Sequence, residues 1–257
     1  MILAYIYKIE TAQVLLQNAA ALAVKLKKDF GIVTFVSHDE ETTEKEAEIK
    51  ESLVLLKLEI AVNVVVRSGK MSDFAPICDE LEASFLLVQM EQASSKTIRN
   101  LLNASRDLRI PYVLHKDTFG ELNFQKVLVP IGFLEEELEK AQFASAFGRF
   151  CGSHIHLLLA NDSGSKAARN ADKMKSLFDQ FQLKYTESKA KGDSFKVDKE
   201  SVSVAENEQY GLIIVSASRD YGLDDIIFGS KEMHVVKQSQ IPVMLVNPRG
   251  DLYALCD

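Results

Sequence analysis

Short apolar runs alternate along this chain with longer stretches of amphipathic periodicity. The runs at residues 2–7, 32–36, 60–66, 85–88 and 110–114 are rich in Val, Ile and Leu. Runs of this length, without polar alternation, predict strands buried on both faces of a sheet. Between them, residues 11–28 place Val14, Leu15, Leu22 and Leu26 at helical spacing, and residues 41–57 place Ile49, Leu53 and Leu56 along one side of a charged helix. Residues 73–82 and 97–105 predict two shorter helices. This order of elements implies right-handed strand–helix–strand units and a parallel sheet.

The pattern then repeats. Residues 127–131 resemble residues 2–6 at an offset of 125, and residues 155–159 match residues 32–36 at 123. Gly192 answers Gly69 at 123, residues 212–215 answer 85–88 at 127, and Ile241-Pro242-Val243 answers Ile110-Pro111-Tyr112 at 131. An ordered set of offsets predicts two copies of one domain. Their boundaries are read as 1–119 and 124–250, joined near residues 116–125. The offset grows by four between the fourth strand and the fifth, so the second copy carries extra loop residues within 216–228. Each copy is expected to be a doubly wound α/β domain, a five-stranded parallel sheet in the order 3-2-1-4-5. Such a sheet binds ligands at the carboxyl ends of its strands beside the switch between strands one and four.

Composition narrows the function. The chain has 257 residues, 30 basic and 37 acidic, a net charge of −7 spread evenly over both copies. Without a basic patch, binding to nucleic acid or to an anionic membrane surface is not expected. Cys78, Cys151 and Cys256 make no paired or metal-ligand spacing, and with no leader or long apolar run in view the expectation is a cytoplasmic protein. His154 and His156 alternate on one strand and so share a face, but no third metal ligand is identifiable; His38, His115 and His234 stand alone. Glu135, Glu136 and Glu137 read as helix-start acids on a solvated face. No P-loop, dinucleotide fingerprint or nucleophile elbow is present, so no catalytic residue is named.

Glycine is scarce, at 12 residues, about 5% against a usual ~7%. The strongest local signal is Gly229-Ser230 before the helical stretch 231–238, where Ser230 can cap a helix whose amino end favours an anion. Ser94, Ser95 and Lys96 are a similar but weaker helix start in the first copy.

The run from Val215 and Ser216 through Arg219, Gly222, Asp224 and Asp225 to Gly229-Ser230, followed by Ile241-Pro242-Val243, resembles the C-terminal part of universal stress proteins. Val127 to Ile131 resembles that family's first strand. The resemblance covers the second copy well and, through the repeat, the first more weakly. It implies two tandem domains facing each other as an internal pseudo-dimer, with residues 110–114 near 243–246, and further association into a homodimer. ATP-binding members carry G-x2-G-x9-G-[ST] here. Ser216 and Arg219 replace its first two glycines, while Gly229 and Ser230 match, as does a loop glycine at Gly222. Gly132 stands where those members hold the ribose with an Asp, and Pro130 and Ile131 match near the adenine. The resemblance therefore assigns Pro130, Ile131, Gly132, Val215, Ser216, Arg219, Gly222, Gly229 and Ser230 to the nucleotide position. It leaves the second domain as the one place for ATP or another adenine nucleotide. A missing glycine puts a Cβ where backbone would approach phosphate, and Asp224 and Asp225 would repel a triphosphate. The expected function is a non-enzymatic stress-response module acting through protein contacts, with ATP binding lost or reduced. The alternative is a nucleotide or anion sensor using a modified pocket in the second domain.

Overall fold

The computed structural model describes residues 1–90, 93–218 and 230–249, and the chain divides into two units, Met1–Glu121 and Leu122–Asp257. The first unit runs β1 (Ile2–Tyr5), α1 (Gln13–Leu26), β2 (Phe30–Val36), α2 (Thr42–Leu56), β3 (Val62–Ser68), α3 (Phe74–Glu80), β4 (Phe85–Met90), α4 (Ser95–Ala104) and β5 (Tyr112–Lys116). Its strands lie in the order β3-β2-β1-β4-β5, all parallel. Every residue of β1 and β4 is buried, as a central parallel strand between helical layers requires, and every residue of β5 is buried too. The strand β5 starts later than its apolar run because Pro111 has no amide to give; its carbonyl instead accepts from Leu86 N at 3.1 Å. β3 runs on through Arg67 and Ser68, whose backbones still pair with Phe35 and Val36 although their side chains are exposed.

The second unit repeats this plan with β6 (Lys126–Ile131), α5 (Lys140–Ala146), β7 (His154–Leu159), α6 (Lys166–Gln180), β8 (Tyr185–Lys189), α7 (Val197–Asn207), β9 (Leu212–Ser216), α8 (Lys231–Gln238) and β10 (Val243–Val246). Its order, β10-β9-β6-β7-β8, is again 3-2-1-4-5 counted within the unit. β8 gave no apolar run because it is an edge strand with four exposed residues in Thr-Glu-Ser-Lys. Gly211 leads into β9 where a Cβ would lie 1.6 Å from the Asn123 carbonyl oxygen, so no other residue fits.

Each unit has its own core. Leu3, Ile32 and Leu86 in the first, and Leu128, Ile155 and Ile213 in the second, are fully buried. Each such side chain contributes about 1.5–3 kcal/mol. The helix α4 turns Ile98, Leu101 and Leu102 inward at helical spacing, and Ser94 caps its start by accepting from Thr97 N at 3.1 Å. Parallel register then brings the carboxyl ends of β1 and β4, and of β6 and β9, side by side, with a crossover leaving each in opposite directions.

Candidate functional site

In the second unit Pro130 and Ile131 end β6 and Gly132 follows it, while Val215 and Ser216 end its neighbour β9; all are buried. Ser230 is 4% exposed and caps α8, accepting from Met233 N at a long 3.4 Å. The structure thus brings the strand-end candidates together on adjacent strands. Arg219, Gly222 and Gly229 lie outside the described residues, as do Asp224 and Asp225.

The space beside these strand ends holds a buried ionic cluster. Lys140, at the start of α5 and fully buried, donates through Nζ to the Pro130 carbonyl and to Glu137 Oε2. Lys231, the first residue of α8, sets Nζ 3.2 Å from Asp198 Oδ2 on α7 and 3.9 Å from Glu137 Oε1. Four elements therefore meet through two cations and two carboxylates. Glu137 is 3% exposed, which corrects its reading as a solvated helix-start acid. Its turn, residues 135–139, lies against β9 and α6, so only Glu135 of the three acids is fully solvated.

The electrostatics follow from this geometry. Burial pushes the Glu137 carboxyl up, but Lys140, Lys231 and the Gly132 amide together hold it below the ordinary range. Asp198 is pushed up by burial, which Lys231 and Lys140 only partly offset and to which the nearby Glu137 adds. Burial opposes the charge on Lys231, yet Asp198 and Glu137 raise its pKa overall. Two more buried acids adjoin the cluster in sequence. Glu232 accepts from Ser218 Oγ at 2.8 Å, and Glu139 accepts from Arg249 N at 2.8 and 3.0 Å.

The amides that leave β6 are also taken. The Gly132 amide helps hold the Glu137 carboxylate in its charged form, and Phe133 N donates to Ser194 Oγ at 2.9 Å. Ser194 is fixed by Asp162, which accepts from its amide at 3.0 Å and from its hydroxyl. A Cβ on Gly132 would sit 3.1 Å from Ser194 Oγ, so the glycine admits that contact. Asn170 closes the ring by donating to the Gly132 and Leu134 carbonyls.

The first unit reaches the same end by other means. Gln89, on β4 and 1% exposed, accepts through Oε1 from Tyr7 N at 2.9 Å and Lys8 N at 3.1 Å. Its Nε2 donates to the Lys8 carbonyl and to Thr11 Oγ1, both at 2.9 Å. In both units amides just beyond the first strand are held by internal acceptors, those of Tyr7 and Lys8 by Gln89 and that of Phe133 by Ser194. Sequence reasoning did not assign Gln89, Glu137, Lys140, Ser194, Asp198 or Lys231 to a site. Only the i, i+3 pairing of Glu137 with Lys140 left a local trace. Ser94 acts as a helix cap. His154 and His156 do share a face, and their rings bond Thr186 and Ser188 of β8 at 2.8–3.0 Å.

Comparison with known proteins agrees with this architecture. Residues 123–247 match the model of the universal stress protein family. A universal stress protein from Archaeoglobus fulgidus DSM 4304 superposes with a TM-score of 0.72 at 16% identity, over 97% of each chain. A provisionally assigned universal stress protein from Pseudomonas aeruginosa UCBPP-PA14 superposes with a TM-score of 0.58 at 11% identity, over 99% of this chain and 94% of that one. A functionally unknown protein from Pseudomonas aeruginosa PAO1 gives 0.58 at 9% identity, over 100% and 95%. At these identities the likeness is one of fold. No curated protein matched the chain. No helix among the described residues is long and apolar enough to cross a membrane.

Proposed function

We infer that this chain, whose second unit is a universal stress protein domain, is a non-enzymatic stress-response module that acts through protein contacts and has lost or weakened nucleotide binding. The observation that carries the reading is the Glu137–Lys140–Lys231–Asp198 cluster beside the ends of β6 and β9. Its two cations are already neutralised by its two carboxylates, and Glu232 and Glu139 add buried negative charge. An incoming triphosphate would compete with these carboxylates for Lys140 and Lys231, and would find the Phe133 amide bound. Displacing either carboxylate leaves a buried charge unpaired, at a cost of several kcal/mol. The reading includes protein partners, a homodimer and a cytoplasmic setting, without nucleic acid, membrane or catalytic chemistry.

A second reading, an anion or nucleotide sensor in the second unit, is favoured by one feature. The Ser216 hydroxyl is 2% exposed at the end of β9 and has no hydrogen-bond partner among the described residues. Mass spectrometry of ligand released from the purified protein, with calorimetric titration of ATP and AMP, separates the two. The first reading expects neither co-purified nucleotide nor binding heat; stoichiometric nucleotide overturns it. If binding is found, Ser230→Ala and Gly229→Val test the sensor site, and unchanged affinity in both removes it.

A further inference from the structure

The two units guard their outer strands differently. β3 and β8 each pair with one neighbour among the described strands, β2 and β7 respectively. An outer strand leaves a row of backbone amides and carbonyls open to another strand. β8 is protected against such pairing. It is five residues long, Tyr-Thr-Glu-Ser-Lys, with four of them exposed. Lys175 of α6 reaches Glu187 at 2.9 Å, and the Tyr185 hydroxyl donates to Asp179 Oδ1 at 2.8 Å. Short outer strands dressed with charge resist pairing.

β3 lacks this protection over most of its length. It runs seven residues, Val-Asn-Val-Val-Val-Arg-Ser, with no charged side chain before Arg67. Asn63 and Arg67 are exposed, and Val62 and Val64 are half-buried. The helix α2 packs on β3, and its last turn exposes Val54 at 75% and Leu55 at 80%. The equally long α6 closes with Asp179 and Gln180 where α2 has Leu55 and Leu56. From Leu53 to Val66 the charges are Lys57 and Glu59, which cancel. The first unit thus carries a long, Val-rich, uncharged edge where its repeat carries a short polar one.

Charge and symmetry identify what this edge receives. Two copies of the chain, each with a net charge of −7, repel overall and meet best where charge is low. In an antiparallel pair about a two-fold axis through Val65, Val62 faces Ser68, Val64 faces Val66 and Asn63 faces the partner's Arg67. All seven residues then find a partner, and no like charges stand opposite each other. Arg67 already bonds Glu80 at 3.1 Å and the Val66 carbonyl at 3.4 Å, which leaves guanidinium N–H groups for the Asn63 carboxamide oxygen. The contact occurs twice, because a two-fold interface is self-complementary. Moving the axis two residues to Arg67 sets the two guanidinium groups face to face and excludes that register.

We propose that the first unit pairs through β3 with β3 of a second copy, antiparallel and centred on Val65, so that the two sheets become continuous. This names the surface of the homodimer in the proposed function and rests on that reading. Sedimentation velocity of the full chain, from low micromolar to sub-millimolar concentration, gives the dimer dissociation constant. Hydrogen exchange over the same range is expected to slow at residues 62–68 as dimer forms and to stay unchanged at residues 185–189. Asn63→Lys places a cation opposite Arg67 twice, and is expected to weaken the dimer about fivefold or more; Asn63→Glu is expected to tighten it. Adding Arg67→Glu to Asn63→Lys reverses the pair and is expected to restore association. Both positions are exposed, so thermal midpoints are expected to change little. A chain that stays monomeric throughout overturns the homodimer reading and this surface together. A dimer whose constant ignores Asn63→Lys, or whose residues 62–68 gain no protection, overturns this surface alone. Should a variant fail to fold, the exchange pattern of the unaltered chain decides.

Discussion

Gln89 grips both backbone polar groups of Lys8: its Oε1 accepts from the Lys8 amide at 3.1 Å and its Nε2 donates to the Lys8 carbonyl at 2.9 Å. This pins the turn after β1 to β4 across the switch point. Gln89→Leu keeps the size but strands the Tyr7 and Lys8 amides at least partly from water. A loss of about 2–4 kcal/mol in unfolding free energy is expected, from several orphaned groups at ~1–3 each. Urea unfolding measures it; a loss below ~0.5 kcal/mol would mean the turn is held by other contacts.

A second expectation concerns acid. His115 Nε2 accepts from Asn18 Nδ2 at 2.9 Å, which places the ring proton on Nδ1. The ring is 1% exposed and rests edge-on to Phe119 at 5.4 Å. Burial lowers its pKa to about 4, against an unfolded value near 6.5. Between these values the unfolded chain binds the extra proton, so this stability is complete above about pH 6.5 and drains away as pH falls toward 4. The full loss is about 3 kcal/mol. His115→Gln keeps an acceptor for Asn18 and should flatten this part of the stability–pH profile; an unchanged acid slope removes His115 as its source.

The ionic cluster has its own pH behaviour. Lys231→Met removes the cation nearest Asp198 and should cost about 3–5 kcal/mol at neutral pH, as for other broken buried pairs. Asp198 already has a raised pKa, and losing Lys231 raises it further. The folded variant then holds a proton that the unfolded chain releases, so its stability falls as pH rises through the carboxylate range. The deficit relative to the unaltered protein should therefore shrink between pH 7 and pH 5. A deficit that stays constant would show that lost packing, not unpaired charge, is responsible.

Gly132→Asp introduces the residue type that the family resemblance assigns to this position in ATP-binding members, and on the proposed function it is expected to give no ATP heat in calorimetry. The new Cβ meets Ser194 Oγ at 3.1 Å, and Ser194 is fixed by Asp162. The added carboxylate also stands beside Glu137, 3.6 Å from the Cβ position. Overpacking of this kind costs about 1–3 kcal/mol, so the thermal midpoint should drop. ATP binding by this single variant would overturn the proposed role of the cluster in opposing nucleotide.

Much of this protein was legible from sequence alone. The apolar runs fixed nearly all strands, because buried parallel strands must be apolar on both faces, and the offsets from 2–6 to 127–131 revealed the repeat. The edge strand Tyr185–Lys189 was hidden because one neighbour and an exposed face relax that demand. The glycine shortage pointed to the carboxyl ends of β6 and β9, where the ionic cluster lies. What occupies that end was decided by tertiary structure. Glu137, Asp198 and Lys231 are separated by 33 or more positions along the chain, and each looks like an ordinary surface charge in its own helix. Gln89 likewise reads as one polar residue in an apolar strand. A periodic pattern reports which face of an element is buried. The partner of a buried charge is set by crossovers that bring distant helix starts to one switch point, and no local pattern records that meeting.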